Sequence, residues 1–440
     1  MTRPKLEAPG AVCWIVETLE SAGHETWVVG GAIRDGILRV QHDDWDLATQ
    51  ARPGRVRRLF ARTVPIGIDH GTVGVLSRDG TLYEVTTFRR DVETFGRRAV
   101  VEFADRLEDD LARRDFTINA VAWHPIRDEL KDPFGGLADL EQRLLRTVGE
   151  PADRFSEDFL RVLRALRFAG RYELDIDPAT WVALCGATVH LPILSPERIR
   201  DELLKVLTLD PTPSRSLRLY EESGALAVAF PELQEKAVAE AVGSNAGWTR
   251  SLQLVDALRA TRPFLRLAAL LEGTGAQNTA AFLVRLRFSN AQTRDVSEVV
   301  AALDGSAPPE TAEGARRWLA GVGPGRLNDW TRVRGAGSRA TDGVTGQDTP
   351  ARVAATWRRL RKIVSSGAPL SVDALALTGR DLIRMGLRPG PAFGRILDAL
   401  LDRVLTDPGL NRKEALEALA EELARPEGPV GADDGTRREP

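Results

Sequence analysis

The sequence predicts an α+β protein with a small mixed sheet in its N-terminal part and helices in the rest of the chain. Between residues 26 and 86, short runs of β-branched and aromatic residues alternate with turns and short helical stretches, which is typical of a mixed sheet. From Pro151 onward, apolar residues recur three and four apart, which is the helical period. A chain of 440 residues holds about two to four domains, so we expect a domain boundary near this change.

The composition excludes several classes of protein. The net charge is −3, so any surface that binds nucleic acid has to be a local basic patch. The two cysteines, Cys13 and Cys185, are too few for a disulfide framework or a cysteine-based zinc site. No apolar run reaches the length that spans a bilayer, and the N-terminus lacks a signal-peptide pattern. We therefore expect a cytoplasmic protein that binds no membrane.

Residues 27–49 predict a strand, a glycine turn, a helix and a second strand. Gly30 and Gly31 permit a close backbone approach and open the helix with free amides, which is a common place for phosphate. Asp44 and Asp46 lie two residues apart in the second strand, so their side chains project from one face. Such carboxylates repel each other unless a cation lies between them, and oxygen ligands suit Mg²⁺. An exposed edge strand beside an ordinary turn is the alternative, and it explains the combination less well.

Further elements are predicted around this core: strands at residues 64–66, 72–76 and 82–86, and helices at residues 8–22 and 53–60. The second helix begins with Pro53, because proline is favoured at the first helical position. Glu84 lies in the strand predicted to run beside the acid pair, and it is the candidate for a third carboxylate. A solvent-facing glutamate in a half-exposed strand is the alternative.

A second charged cluster occurs at residues 113–120, which read RRDFTINA around a predicted helix start. Arg113 and Arg114 can fork onto phosphate oxygens, while Asp115 and Asn119 can form hydrogen bonds with sugar hydroxyls. The cluster could therefore hold a triphosphate and a ribose. A salt-bridge cluster on the surface would explain these residues nearly as well.

The helical part begins with a third charged cluster. We predict a helix that starts at Ser156 as its N-cap, with Glu157 and Asp158 in the first turn. The arginines that follow are three or four residues apart and share one face of this helix: Arg161, Arg164, Arg167 and Arg171. A solvated basic face is the alternative. Residues 195–203 predict another helix, in which an Arg198–Glu202 pair would have a structural role.

Taken in order, these stretches resemble the motifs of one known family. The strings GGAIRD (30–35), DDWDLAT (43–49), RRDFTINA (113–120) and EDFLR (157–161) resemble those of class II tRNA nucleotidyltransferases, also called CCA-adding enzymes, and of bacterial poly(A) polymerases. The resemblance extends over about residues 10–425. It implies a nucleotidyltransferase head of the polymerase β type, followed by an all-α neck, body and tail.

The resemblance also implies site residues. Asp44, Asp46 and Glu84 would be catalytic, and Asp44 and Asp46 would hold Mg²⁺. Nucleotide binding would fall to the glycine turn and to charged residues of the later clusters: Gly30, Gly31, Arg34, Asp35, Arg113, Arg114, Asp115, Asn119, Asp158, Arg161, Arg164 and Arg167. The partner would be tRNA, and the substrates would be CTP and ATP.

Asp158 and Arg161 resemble the pair that selects the incoming base in place of a template. An ionised aspartate only accepts hydrogen bonds, and an arginine only donates them. Cytosine and adenine both present an amino donor beside a ring acceptor, whereas uracil and guanine place a carbonyl before the carboxylate and a ring N–H before the arginine. A site whose buried polar groups are left unpaired by the wrong substrate discriminates strongly. We expect the two residues to lie one turn apart on one helix.

We expect five parts along the chain: a catalytic head at 1–150, a helical neck for base recognition at 151–225, a helical body at 226–350, a tRNA-binding tail at 351–425 and a disordered end at 426–440. Two other functions remain open. One is an A-adding enzyme or a poly(A) polymerase of the same family, although IGIDHGTV (66–73) resembles the CCA-adding version of that strand. The other is a non-catalytic RNA-binding protein, which would need no acid pair.

The length of the product depends on residues 89–103. Complete CCA-adding relatives carry a mobile loop here, whereas relatives that add only two cytidines have a shortened one. In this sequence the stretch is about two residues short, with Phe95 in place of an acid and Ala99 in place of a proline. The stretch favours addition of CC alone, and complete CCA addition is the alternative, since surface loops tolerate small deletions.

Overall fold

The computed structural model describes residues 5–40, 44–95, 98–243, 247–340 and 349–424. The predicted disorder of residues 426–440 lies outside this range. The chain forms two units, of which the first comprises Met1–Arg266 and Ala281–Ser289 and the second comprises Leu267–Ala280 and Asn290–Pro440. The finer division into head, neck, body and tail stays a prediction.

A seven-stranded mixed sheet lies at the centre of the N-terminal part of the first unit, with the strand order β3-β4-β5-β2-β1-β8-β9. Its strands are β1 Thr26–Val29, β2 Asp46–Thr49, β3 Thr63–Gly67, β4 Thr72–Leu76, β5 Leu82–Thr87, β8 Ala122–His124 and β9 Glu129–Lys131. The β2–β5 pair is parallel and the other neighbours are antiparallel. This arrangement confirms the predicted mixed sheet. Two small ribbons pair β6 Arg89–Phe95 with β7 Arg98–Phe103, and β10 Leu144–Leu145 with β11 Asp175–Ile176.

The two faces of this sheet have different roles. One face is covered by α1 (Gly10–Ser21) and α3 (Pro53–Leu59), whose apolar side chains pack with Val28, Leu47 and Val85. The opposite face presents Trp27, Val29 and Ala48, which pack with residues of α4 (Leu107–Ala112). Successive strand residues alternate between faces, so Asp46 projects on the second face, beside Val29 and Ala48. Asp46 is therefore placed by the same alternation that builds the core. The prediction that Asp44 lies in the same strand is wrong, because β2 begins at Asp46.

The other helices of the first unit surround or follow the sheet: α2 Gly31–Ile37, α5 Gly136–Glu141, α6 Pro151–Glu157, α7 Leu160–Tyr172, α8 Pro178–Ala187, α9 Pro196–Leu209, α10 Pro213–Glu222, α11 Ala225–Ala229, α12 Pro231–Ala241 and α13 Trp248–Ala257. Many of them begin with proline, whose fixed φ angle suits the first helical position. Helices α14 Pro263–Leu271 and α15 Ala276–Arg285 each have residues in both units.

The prediction of a helix start at Ser156 is wrong. Pro151 begins α6 five residues earlier, and Ser156 lies in the last turn of α6. Asp158 has an extended backbone, with φ −154° and ψ 105°, and it separates α6 from α7. Its carboxylate accepts a hydrogen bond from the Leu160 amide at 3.0 Å, which supports the start of α7. Asp158 and Arg161 therefore do not lie one turn apart on a single helix.

The second unit contains α16 Asn290–Asp304, α17 Ala312–Val322, α18 Leu327–Ala340, α19 Pro350–Ser365, α20 Gly379–Arg384, α21 Pro391–Thr406 and α22 Lys413–Ala424. One apolar core forms around Leu319 and Leu360, and another forms around Leu382, Leu400 and Leu416. These helices confirm the predicted helical character of the C-terminal part. Within the described residues, no helix is both long enough and apolar enough to cross a membrane.

Candidate active site

A cleft of about 920 Å³ in the first unit is lined by every residue that the sequence assigned to catalysis or nucleotide binding. The turn between β1 and α2, the strands β2 and β5, the segment after α4 and the start of α7 all contribute to its wall. These segments are far apart in sequence, and the fold brings them together. The arrangement explains why the charged clusters occur as separate motifs along the chain.

The glycine turn lies against an arginine. Gly30 has φ +79°, and a side chain there would place its Cβ 2.8 Å from Nη1 of Arg114. Arg114 itself donates to the backbone oxygen of Asn119 at 3.3 Å and to Asp110 at 3.2 Å. Glycine at position 30 is therefore favoured by the backbone angle, and it lets this guanidinium lie close to the turn. The contact brings positive charge to the floor of the cleft.

The acid pair lies beside this arginine. Leu47 pairs with Val85 in the parallel β2–β5 register, so the preceding residues Asp46 and Glu84 lie side by side. Burial, together with the charges of Asp44 and Glu84, raises the pKa of Asp46 to about 6, and only the Arg114 charge acts against this rise. Burial is the larger cause of the raised pKa of Asp46, and the neighbouring negative charges add to it.

The donor set fits a divalent cation held by Asp44 and Asp46, because carboxylate oxygens are the ligands that hard cations prefer. Among the described residues, no group of three or more His, Cys, Asp or Glu side chains is arranged to hold a metal ion. The remaining ligands would therefore come from substrate oxygens or water. The role of Glu84 as a third carboxylate stays a prediction.

Asp115 links the segment after α4 to α7. It is buried, and its carboxylate accepts hydrogen bonds from the Arg164 guanidinium at 2.8 Å and the Asn119 amide at 2.9 Å. Burial would raise the pKa of Asp115, but the Arg164 charge and these hydrogen bonds lower it to about 2. The prediction that this cluster surrounds a helix start is wrong, because α4 ends just before Arg113 and residues Thr117–Asn119 form a 3₁₀ turn.

Arg34 and Asp35 lie in the wall of the cleft and are buried. The Arg34 guanidinium donates to Asn119 at 2.5 Å, to Asp35 at 2.9 Å and to the Tyr172 hydroxyl at 2.8 Å. The Tyr172 hydroxyl in turn donates to Asp35 at 2.8 Å. These contacts connect α2 with the end of α7.

The candidate base-selecting pair is held by neighbouring groups. Asp158 accepts from Arg198 through Oδ2 at 2.6 Å, in addition to the Leu160 amide at Oδ1. Arg161 forms an ion pair with Glu157, and it donates to the backbone oxygen of Arg113 at 3.2 Å. Both side chains line the cleft and offer one acceptor group and one donor group to a ligand.

The predicted Arg198–Glu202 pair is wrong. Arg198 contacts Asp158 across the cleft, and Glu202 instead accepts from Arg167 at 2.7 Å and from Lys205 at 2.8 Å. Sequence reasoning therefore missed Arg198 and Lys205 as cleft residues, together with Arg89 and Arg171. The spacing of seven between Arg198 and Lys205, which places them on one face of α9, was the available signal.

The family models match two parts of the chain. Residues 26–146 match the poly A polymerase head domain, and residues 173–236 match the probable RNA and SrmB-binding site of polymerase A. The first match covers the sheet and the acid pair. The class of protein that the fold and the cleft define is thus a nucleotidyltransferase with a polymerase-type head.

Full-length relatives narrow this class. The CCA-adding enzyme of Levilactobacillus brevis is 36% identical over 413 residues, which are 92% of this chain and 95% of the relative. The CCA-adding enzyme of Geobacillus stearothermophilus is 33% identical over 427 residues, which are 95% of this chain and 97% of the relative. The crystal structure of the Bacillus stearothermophilus CCA-adding enzyme in complex with CTP aligns with a TM-score of 0.73 and 32% identity, over 94% of this chain and 97% of that one.

This chain therefore belongs to the CCA-adding enzyme family of tRNA nucleotidyltransferases. The comparison confirms the resemblance found in the motifs and the predicted fold class. Enzymes of this family use divalent metal ions, in agreement with the donor set at the acid pair.

Proposed function

We propose that this chain extends the 3′ end of tRNA with cytidines, and with a terminal adenosine where the product is complete, using CTP and ATP and no nucleic-acid template. One observation carries the proposal: the acid pair and the base-selecting pair line the same cleft. Full-length similarity to proteins named CCA-adding enzymes supports it.

In the proposed reaction, the 3′-hydroxyl of the tRNA attacks the α-phosphate of the nucleotide in line. A phosphodiester bond forms, the bond to pyrophosphate breaks, and the hydroxyl proton is released. Two Mg²⁺ ions at Asp44 and Asp46 would lower the pKa of this hydroxyl and stabilise the leaving pyrophosphate. Arg113 and Arg114 face the charge of the triphosphate beside the glycine turn, where arginine can contact phosphate oxygens in a fork.

The contacts of Asp158 suit a base-selecting role. The Arg198 guanidinium and the Leu160 amide both donate to this carboxylate and hold it at the cleft, where its oxygens can accept hydrogen bonds. Arg161 is anchored by Glu157, and arginine can only donate. Cytosine and adenine satisfy this polarity, whereas uracil and guanine oppose it with a carbonyl and a ring N–H.

Binding of tRNA would need basic patches, because the net charge of the chain is negative. Helix α19 carries one such patch, with Arg352, Arg358, Arg361 and Lys362 exposed. It lies at the start of the predicted tail. We assign this patch to contacts with the phosphate backbone of tRNA.

A direct experiment offers tRNA that lacks its last three nucleotides to the protein with each nucleoside triphosphate in turn, and then with CTP and ATP together. We expect extension with CTP and little or none with UTP or GTP. A long adenosine tract made from ATP alone would favour a poly(A) polymerase, and binding of tRNA without any extension would favour a non-catalytic protein.

The same experiment, with the product sized, decides between CC and CCA. The hairpin of β6 and β7 occupies the stretch that the sequence marks as short, and residues 96 and 97 at its turn lie outside the described residues. The shortened stretch favours a product that ends in CC. Efficient addition of a third nucleotide, or of adenosine to a tRNA that already ends in CC, would establish complete CCA addition instead.

A further inference from the structure

A network of buried polar side chains joins α2 and the segment after α4 to the end of α7. Its members are Arg34, Asp35, Asp115, Asn119 and Tyr172, none of which is more than 8% exposed. The hydrogen bonds between them measure 2.5–2.9 Å. Buried polar groups that are hydrogen-bonded to one another fix one arrangement of side chains, so this network is a rigid part of the cleft wall.

The network determines which way the Asn119 amide faces. Arg34 can only donate, so the group that it contacts at 2.5 Å has to be the amide oxygen of Asn119. Asp115 is ionised and can only accept, so the group that it contacts at 2.9 Å has to be the amide nitrogen. A donor-only and an acceptor-only neighbour therefore hold the amide in a single orientation.

This orientation leaves one polar hydrogen for a ligand. The oxygens of Asp115 accept from the Phe116 amide and Asn119 at Oδ1, and from two nitrogens of Arg164 at Oδ2. Asn119 uses one amide hydrogen for Asp115, and within the described part of the chain its second amide hydrogen has no partner. Since Asn119 lines the cleft, this N–H is a donor that a bound nucleotide could use.

Tyr172 closes the network from α7. Its hydroxyl accepts from Arg34 and donates to Asp35, and its ring lies under the Arg34 guanidinium at 4.5 Å. Burial raises the pKa of Tyr172 to about 12, so the hydroxyl remains a donor at neutral pH. Without this hydroxyl, Arg34 would lose an acceptor and Asp35 would lose a donor, and Arg34 could leave the position in which it holds Asn119.

We propose that Arg34, Asp35 and Tyr172 are positioning residues that fix the Asn119 amide for the ribose of the incoming nucleotide. This inference rests on the proposed function, which assigns the ribose to Asp115 and Asn119. It changes the role predicted for Arg34 and Asp35, which act through Asn119 and not by contact with the triphosphate. The ligand group is a sugar hydroxyl, and the 2′-hydroxyl distinguishes CTP from dCTP.

The test compares Tyr172→Phe with Tyr220→Phe. Tyr220 is also buried, and its hydroxyl contacts the backbone oxygen of Leu163 in the same helix α7 at 3.4 Å, but it lies outside the network. Transfer to tRNA and equilibrium binding would be measured with CTP and with dCTP. We expect Tyr172→Phe to reduce the preference for CTP about five- to tenfold, through a higher KM for CTP, which corresponds to one lost hydrogen bond. We expect Tyr220→Phe to leave the preference unchanged.

The Asn119→Ala variant distinguishes a failure of the proposed function, of the ribose assignment and of the positioning role. If the wild type does not extend tRNA, the proposed function is wrong. If the wild type is active but Asn119→Ala keeps the full preference for CTP, the ribose assignment is wrong. If Asn119→Ala loses the preference while Tyr172→Phe keeps it, or if Tyr220→Phe loses as much as Tyr172→Phe, the positioning role is overturned. Loss in both Asn119→Ala and Tyr172→Phe, without a further loss in the double variant, supports the coupling.

Discussion

Replacing Asp115 with asparagine removes the charge that links the segment after α4 to α7. Burial alone would raise the pKa of this carboxyl, but the Arg164 charge and the hydrogen bonds lower it from 3.8 to about 2 in the folded protein. At about 1.4 kcal/mol per pKa unit, the shift corresponds to about 2.5 kcal/mol of free energy of unfolding at neutral pH. Because the folded-state pKa is the lower one, this stability is present above about pH 4 and is lost as the pH falls toward 2.

The measurement is urea unfolding of the wild type and Asp115→Asn at pH 7, 5, 4 and 3. We expect the variant to be less stable by about 2.5 kcal/mol at pH 7, and we expect the difference to shrink between pH 4 and pH 3. Asp105→Asn is the matched control, because its carboxylate also contacts an arginine, Arg52 at 3.0 Å, but is 75% exposed. The control should lose less than about 1 kcal/mol. A difference for Asp115→Asn that is below the control, or that is the same at pH 7 and pH 3, would refute the reasoning.

Three further predictions concern base choice and RNA binding. Asp158→Ala or Arg161→Ala should raise the frequency of U or G incorporation about tenfold or more above the wild type, because the lost hydrogen bonds face the base. An unchanged preference for C and A, measured in competition among the four nucleotides, would show that the pair does not select the base. Arg198→Met should raise misincorporation, but less than Asp158→Ala does, because the Leu160 amide still holds Oδ1 of Asp158. Arg200→Met is the control on the same helix and should have no effect, since Arg200 pairs with Asp201. Equal error rates for Arg198→Met and Arg200→Met would contradict this prediction. The logarithm of the affinity for tRNA should fall steeply and linearly with the logarithm of the salt concentration, with a slope set by the number of phosphates contacted. An affinity that is independent of salt, measured by filter binding, would be inconsistent with local basic patches.

The elements that the sequence predicts well are those that local chemistry decides. The strand Thr72–Leu76 has the predicted bounds, and the helix from Pro53 begins where the proline indicated. Asp44 and Asp46 both line the cleft, as the sequence predicted, although only Asp46 lies in β2 and Asp44 precedes the strand. The motif strings also predicted that the separate charged clusters contribute to a single site, and residues of each cluster line the same cleft.

The misses have a common physical cause. Which partner an arginine chooses depends on residues far away in sequence, so Arg198 contacts Asp158 rather than its helical neighbour Glu202. The prediction of an N-cap at Ser156 is wrong because the helix begins earlier, at Pro151. Proline and serine are both typical of helix starts, and local sequence does not decide between them. The contacts of Tyr172 could not be predicted either, because its partners Arg34 and Asp35 are far away in the sequence.

The central claim is that Asp44 and Asp46, at the start of β2, serve nucleotidyl transfer to tRNA. The most direct measurement is the rate of CMP transfer from CTP to tRNA that lacks its last three nucleotides, with Mg²⁺, for the wild type, Asp44→Asn and Asp46→Asn, with tRNA binding and circular dichroism measured on the same samples. We predict that the wild type extends the tRNA and that each variant loses transfer by about a thousandfold or more while it keeps its fold and its tRNA affinity. Near-normal transfer by either variant would contradict the account.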